Sequence, residues 1–339
     1  MNPLKQKQAM PFRALPVVLA LFFSACAINV PEPVIEPEVE TVEAEPPTEV
    51  GRPDQPEAPA NTEATLFGPR VAIVLSGRLP AYENVATALG ELMDDYSIYD
   101  LADKSVTPRE IFLDIESFDT DIVVAIGLRA ATVAKAYSQV PVVFCQVFNI
   151  AQNDLTSGQV KGVAALPPLA LQVQAWKELN PDLQNVGAIL GSGHDSLLEE
   201  ASRAADSAGL TFHYRIARSD RETLYMFNRL TPDIDGFWLF PDNRVLSPAV
   251  LRQMLNYASR HRVQVAVFNP ALLELGATMS ATSVDSDIAA TVVSVAHRVI
   301  KGQNDAIPDV TPLNEIDVQT NPAAVRKTEQ AAANDEVTP

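Results

Sequence analysis

Cysteine is nearly absent: the 339 residues hold two, Cys26 and Cys145. A disulfide framework is excluded, since at most one bridge could form. Histidine is as scarce, with His194, His213, His261 and His297 alone. These lack the i, i+4 spacing with glutamate that zinc hydrolases use, and no G-x-S-x-G elbow offers a serine nucleophile. No acidic pair stands out as a catalytic dyad, no metal cluster is visible and nothing points to a cofactor, so the chain does not read as an enzyme. Basic residues are also short: 25 Lys and Arg stand against 43 Asp and Glu, a formal net charge of −18. Nucleic-acid binding needs clustered cations, so it is excluded. What is plentiful is apolar residue, 47% of the chain. That suffices for one large domain or two lobes.

The first segment reads as a leader. Lys5, Lys7 and Arg13 precede an apolar run over 14–23, short for a bilayer span. Phe23-Ser24-Ala25-Cys26 follows. This resembles the bacterial lipobox, with Phe23 where Leu is usual. It implies a signal peptide over 1–25 and lipidation of Cys26, which becomes the new N-terminus. The alternative is an ordinary secretory signal cleaved near Ala25 or Ala27. Ala27 is not Asp, which by the same resemblance implies the periplasmic face of the outer membrane. One acyl chain anchors only marginally, so firm attachment needs the triacylated cysteine of mature lipoproteins. Cys145 then has no partner within the chain. It lies in Val142-Val143-Phe144-Cys145 and reads as a small buried hydrophobe.

Composition shifts sharply over 29–66. Prolines such as Pro31, Pro33 and Pro37 alternate with Glu32, Glu36 and Glu38, and almost nothing can be buried. A lipidated, disordered linker is expected over 26–68, extended by polyproline preference and self-repulsion. Roughly 40 such residues at about 3.1 Å each reach on the order of 120 Å. A spacer is the plain role; docking to a basic partner is the sharper one.

Order is expected from residue 69. Strand-like apolar runs fall at 70–75, 97–100, 121–126, 140–147, 161–165, 186–190, 211–216, 236–240, 263–268 and 276–281. Helix-like runs fall at 82–93, 108–115, 130–138, 169–179, 195–208, 222–230, 248–260 and 285–300. Continuous apolar strands alternating with helices mean parallel sheets covered on both faces. The strands are too many for one compact sheet, so the fold class is α/β with two doubly wound lobes joined by a hinge. The expected N-terminal lobe is 69–165 with 277–312. The C-terminal lobe is 166–276 with 313–328, and 329–339 is a disordered tail. Two strands without a helix between them, near Val140 and Val163, mark a crossing between lobes.

From Val140 to Arg326 the ordered pieces resemble a known family. They include Val140-Pro141-Val142-Val143-Phe144, Lys161-Gly162-Val163, Ala175-Trp176-Lys177-Glu178-Leu179-Asn180-Pro181 and Asn185-Val186-Gly187-Ala188-Ile189-Leu190. Pro241-Asp242-Asn243-Arg244-Val245, Ala296-His297-Arg298-Val299-Ile300-Lys301-Gly302 and Ile307-Pro308 follow. The chain is similar to the ABC-transporter substrate-binding proteins of the periplasmic binding protein type I fold, with 70–138 fitting the first lobe more loosely. The resemblance implies a ligand enclosed between lobes and an ABC permease as partner. In open α/β sheets ligands sit beyond the carboxyl ends of strands.

Those ends supply the candidate ligand residues. Ser76, with Tyr82 beyond it, can grip a polar ligand, or cap a helix and pack. Gly127-Leu128-Arg129 opens a helix; the family has a small hydroxyl where Leu128 stands, and Arg129 can compensate by pairing with an anion, or is simply solvated. Gln146 and Asn149 follow the Cys145 strand, where the family's Asp-Pro is missing; Phe148 can stack on an apolar ligand, and Asn149 can serve a turn. Asp242 and Asn243 match the family's Pro-Asp-Asn stretch and can hold a ligand ammonium, or form an Asx turn. Asn269 ends the next strand and should face the cleft. Asp285 and Ser286 stand where the family carries aromatics. Gly191-Ser192-Gly193-His194-Asp195-Ser196 imitates a dinucleotide fingerprint, but Ala217-Arg218 replaces the acid expected after the next strand, so a cofactor is rejected. The resulting expectation is a periplasmic solute-binding lipoprotein of an ABC-type importer with a small, amino-acid-like ligand. The alternative is an outer-membrane scaffold or regulator of another envelope protein, such as a peptidoglycan synthase, whose known lipoprotein activators use such a fold.

Overall fold

The computed structural model of the chain describes residues 68–326, apart from 149, 151, 243 and 244. The expected leader, Cys26, the linker to 67 and the tail fall outside the described residues, as do Asn149 and Asn243.

The chain first lays down β1 (Val71–Leu75), α1 (Pro80–Gly90), β2 (Tyr96–Asp100), α2 (Pro108–Ser117), β3 (Ile122–Ile126), α3 (Leu128–Tyr137), β4 (Val142–Cys145) and β5 (Val160–Val163). Every residue of β1, β3 and β4 is buried, because helices cover both faces of their sheet. Local chemistry sets the helix starts. At α2, Thr107 Oγ1 accepts from Glu110 N while the Glu110 carboxylate accepts from Thr107 N, a complete capping box.

The chain then builds a second sheet: α4 (Leu169–Leu179), β6 (Asn185–Leu190), α5 (Asp195–Ser207), β7 (Thr211–Ile216), α6 (Asp220–Leu230), β8 (Gly236–Trp238), α7 (Pro248–Arg260), β9 (Gln264–Val267) and β10 (Met279–Thr282). It returns for α8 (Asp285–Ile300) and β11 (Val310–Thr311), then leaves again for β12 (Asp317–Thr320). The strand orders are β11-β5-β4-β3-β1-β2 and β12-β10-β9-β8-β6-β7. All pairings are parallel except β10 with β12. The two-lobe α/β fold is therefore present.

Two expectations about where the chain changes lobe are corrected. The helix-free step between Val140 and Val163 is no crossing: β4 and β5 pair within the first sheet, Val142 with Val160 and Phe144 with Gly162. The connection over 146–159 is long enough to bring the chain round for parallel pairing without a helix. Nor does the return to the first lobe begin at 277. β10 is bonded on both sides within the second sheet, to β9 and to β12, so that crossing falls at 283–284.

Of the three crossings, 164–168, 283–284 and 312–316, the first two are bonded to each other, and the third is bonded to the first turn of α8. Ser283 Oγ donates to Ala165 O at 3.1 Å. The Asp287 carboxylate accepts from Asn314 N at 2.8 Å and Glu315 N at 3.0 Å. Burial pushes the Asp287 pKa up, but those bonds, with Asn314 and Thr291 side chains, outweigh it and hold it below its ordinary value.

Each lobe buries its own core. Ile288, Val292, Val295 and Val299 of α8 join Ile73, Val124, Val85 and Leu89, so this late helix belongs to the first lobe. Each fully buried aliphatic contributes about 1.5–3 kcal/mol. In the second lobe two buried indoles find acceptors: Trp176 Nε1 donates to Gln264 Oε1 at 2.9 Å and Trp238 Nε1 to Gln172 Oε1 at 3.1 Å.

Candidate functional site

The carboxyl ends of β1 and β3 meet at Ser76 and Gly127. Ser76 N donates to Ile126 O at 3.0 Å. Gly127 has φ +88°, and a Cβ there would stand 2.6 Å from Ser76 Oγ and 2.7 Å from the Tyr82 ring. Only glycine allows both the backbone angle and the approach. Ser76 Oγ accepts from Ala130 N at 2.9 Å, so its hydroxyl caps the start of α3 from the neighbouring strand. Tyr82 is half-buried; burial, with the Cys145 thiol nearby, pushes its phenol up. Cys145 is buried and its thiol is pushed up to about 12, so it is an inert core residue.

Arg129 is exposed in the first turn of α3 and has no ion pair among the described residues. It borders an open cavity of about 650 Å³ with Ser76, Leu79, Tyr82, Leu128 and Arg78, the last paired with Asp100 at 2.9 Å. Gln146, half-buried at the end of β4, has φ +58°. A non-glycine residue in this left-handed region costs of order 1 kcal/mol and marks a loop held by its surroundings.

Across from these ends lies the second lobe. Asp242 is 2% exposed. Its Oδ2 accepts from Gly191 N at 2.8 Å and lies 3.1 Å from His194 Nε2. The carboxylate thus fixes the glycine-rich turn between β6 and α5. It also occupies the amide that a dinucleotide phosphate would need. Asn269 is exposed, and its Oδ1 accepts from Ala271 N at 3.0 Å, capping a short 3₁₀ turn over Pro270–Leu272. Asp285 is half-buried at the start of α8; burial raises its pKa and a bond from Asn84 partly offsets this.

Between the lobes lies a cavity of about 330 Å³. Tyr82, Leu128, Gln146, Val147 and Phe148 wall it from the first lobe. Pro241, Asp242, Leu246, Leu251 and Phe268 wall it from the second. The rings of Phe148 and Phe268 face each other at 6.4 Å between centroids, inclined by 59°. The structure thus brings Tyr82, Gln146 and Asp242 to one space. It leaves Ser76 and Arg129 on the adjoining cavity and turns Asn269 to a local cap. Leu246 and Leu251 were missed from sequence because apolar residues there read as core.

Two lobes of this build have counterparts among known proteins. The family model of ABC transporter substrate binding proteins matches residues 104–337. The chain belongs to this family. No curated protein matches it. Solved structures are similar over a larger share of the chain. The ABC domain from Streptococcus pneumonia, in complex with L-Trp, is similar at 20% identity and TM-score 0.53, over 77% of this chain and 95% of that one. A conserved domain protein from Vibrio cholerae is similar at 18% identity and TM-score 0.51, over 77% and 94%. A ligand-free, open substrate binding protein with adhesive properties from Clostridium difficile is similar at 16% identity and TM-score 0.59, over 77% and 95%. At these identities the likeness is one of fold. Family and fold are those of a substrate-binding protein of ABC-type transport, a group that is generally non-enzymatic.

Proposed function

We propose that the chain is the solute-binding lipoprotein of an ABC-type importer, held by a lipidated Cys26 at the periplasmic face of the outer membrane, and that its lobes enclose a small, amino-acid-like molecule. The observation that carries the ligand half is the cavity between the lobes, walled by strand ends of both sheets. Its lining is mostly apolar and aromatic, so the ligand is a compact molecule with a flat apolar face. Asp242 is already engaged within its own lobe, which leaves Gln146 and the Tyr82 phenol as the polar groups of the cavity. Arg129 on the adjoining cavity supports a carboxylate at the ligand's outer end. The bound L-Trp of the pneumococcal protein has this combination of flat ring and carboxylate. The anchor rests on the lipobox-like Phe23-Ser24-Ala25-Cys26 and the membrane assignment on Ala27. Closure of the lobes would change the surface that a permease reads.

Thermal denaturation with a panel of amino acids and other small organic solutes tests the reading. At about 100 times Kd a true ligand stabilises the folded chain by about 2.7 kcal/mol. Phe148→Ala and Phe268→Ala should each cut that gain; the ligand-free Tm should stay nearly unchanged for the exposed Phe148 and fall modestly for Phe268, which also packs on the second-lobe core. A second reading is favoured by the contact between those rings, which narrows the cleft with the protein's own side chains. It is a scaffold that touches another envelope protein without transport. A flat panel together with capture of a peptidoglycan synthase would select it.

A further inference from the structure

Val147 and Phe148 also wall a second space, larger than the central one, at about 650 Å³. Two of the crossing segments form one side of it, through Ala165, Pro168 and Pro312, and α5 forms another, through Leu197 and Glu200. The lining is mainly apolar. Its charged groups are carboxylates, Glu200 and Asp309, and no Lys or Arg lines it among the described residues. Asp309 is paired with Lys161 at 3.0 Å. Glu200 is exposed and has no ion pair among the described residues. An apolar cavity edged by an unpaired carboxylate favours an apolar body carrying one positive charge.

The same cavity sits where the lobes touch. Gln152, on the loop between β4 and β5, places its Nε2 3.4 Å from Ser192 O and from Gly193 O, and 3.3 Å from His194 Nε2. Gln152, Gly193 and His194 all line the cavity. A molecule lodged there therefore contacts the crossings, the first-lobe loop and the second-lobe turn together.

We propose that this cavity is a second binding site, taking a small organic ammonium ion with an apolar body, and that its occupant braces the lobes at their crossings. It shares the Val147–Phe148 wall with the central cavity but not Phe268, Leu246 or Leu251. A chain whose central cleft binds nothing would still bind here. The test is calorimetric titration of the full chain carrying Cys26→Ser with phenethylammonium, against 2-phenylethanol, which has nearly the same body and no charge. The ammonium should bind at most roughly fivefold more tightly than the alcohol, the upper end of what one exposed ion pair supplies. Glu200→Gln, an exposed change that leaves the core intact, should erase that preference. Leu197→Trp should fill the space and weaken both probes, whereas Phe268→Ala should change neither. Equal affinity for the two probes, indifference to Glu200→Gln, or loss of binding in Phe268→Ala would each overturn the proposal.

Discussion

Asp242 lies at the strand end where a ligand ammonium could be held, yet its carboxylate accepts from Gly191 N and meets His194 inside its own lobe. Removing it leaves a buried N–H and a buried imidazole without this partner, a cost of about 1–3 kcal/mol. Asp242→Ala should therefore lower stability in urea denaturation by that amount even with no ligand present. Unchanged stability with a lost ligand response would return Asp242 to the ligand. Gly127 makes a second residue-scale case. Its φ of +88° and the 2.6 Å approach to Ser76 Oγ leave no room for a methyl group. Gly127→Ala should destabilise by roughly 1–3 kcal/mol and displace Tyr82 from the central cavity. A chain as stable as the original, by the same denaturation, would contradict that geometry.

Among the elements, the hinge is held by α8. Asp287 accepts from Asn314 N and Glu315 N, and these bonds hold its pKa below the unfolded value of about 3.9. A carboxylate with a depressed folded pKa stabilises above its unfolded pKa, and that contribution is lost as pH falls through the folded one. The original chain should thus be more stable than Asp287→Asn at neutral pH, and the gap should close below about pH 4. A gap that persists in acid would mean the carboxylate's charge is not what ties the last crossing to α8. The elements also show what was legible in sequence. α4, α7 and α8 fall on the residues expected of them, and β1, β3 and β4 announced themselves as unbroken apolar runs because both faces are covered. β11 has two residues and β12 is exposed throughout, so neither carries a pattern; each forms only because β5 or β10 offers it an edge. Which sheet β10 joins is a tertiary fact that no local pattern encodes. The site was legible to the same degree. Strand ends located it, but the partners of Asp242 lie 51 and 48 residues away in the chain, and those contacts decide what its carboxylate does.

At the scale of the whole molecule, the sheets belong to separate lobes, each with its own core, linked by crossings that carry few residues. Hinged motion is the expected mode for such a build, and the cavity at the strand ends is where that motion would close. Its floor and roof come from different lobes, with Phe148 on one and Phe268 on the other. Hydrogen exchange resolved along the chain, with and without the solute that raises Tm most, tests this claim most directly. The account predicts slowed exchange in both lobes at once, at 146–148 in the first and at 245–251 and 268–270 in the second. Protection confined to one lobe, or a panel in which no solute slows exchange at either wall, would contradict it.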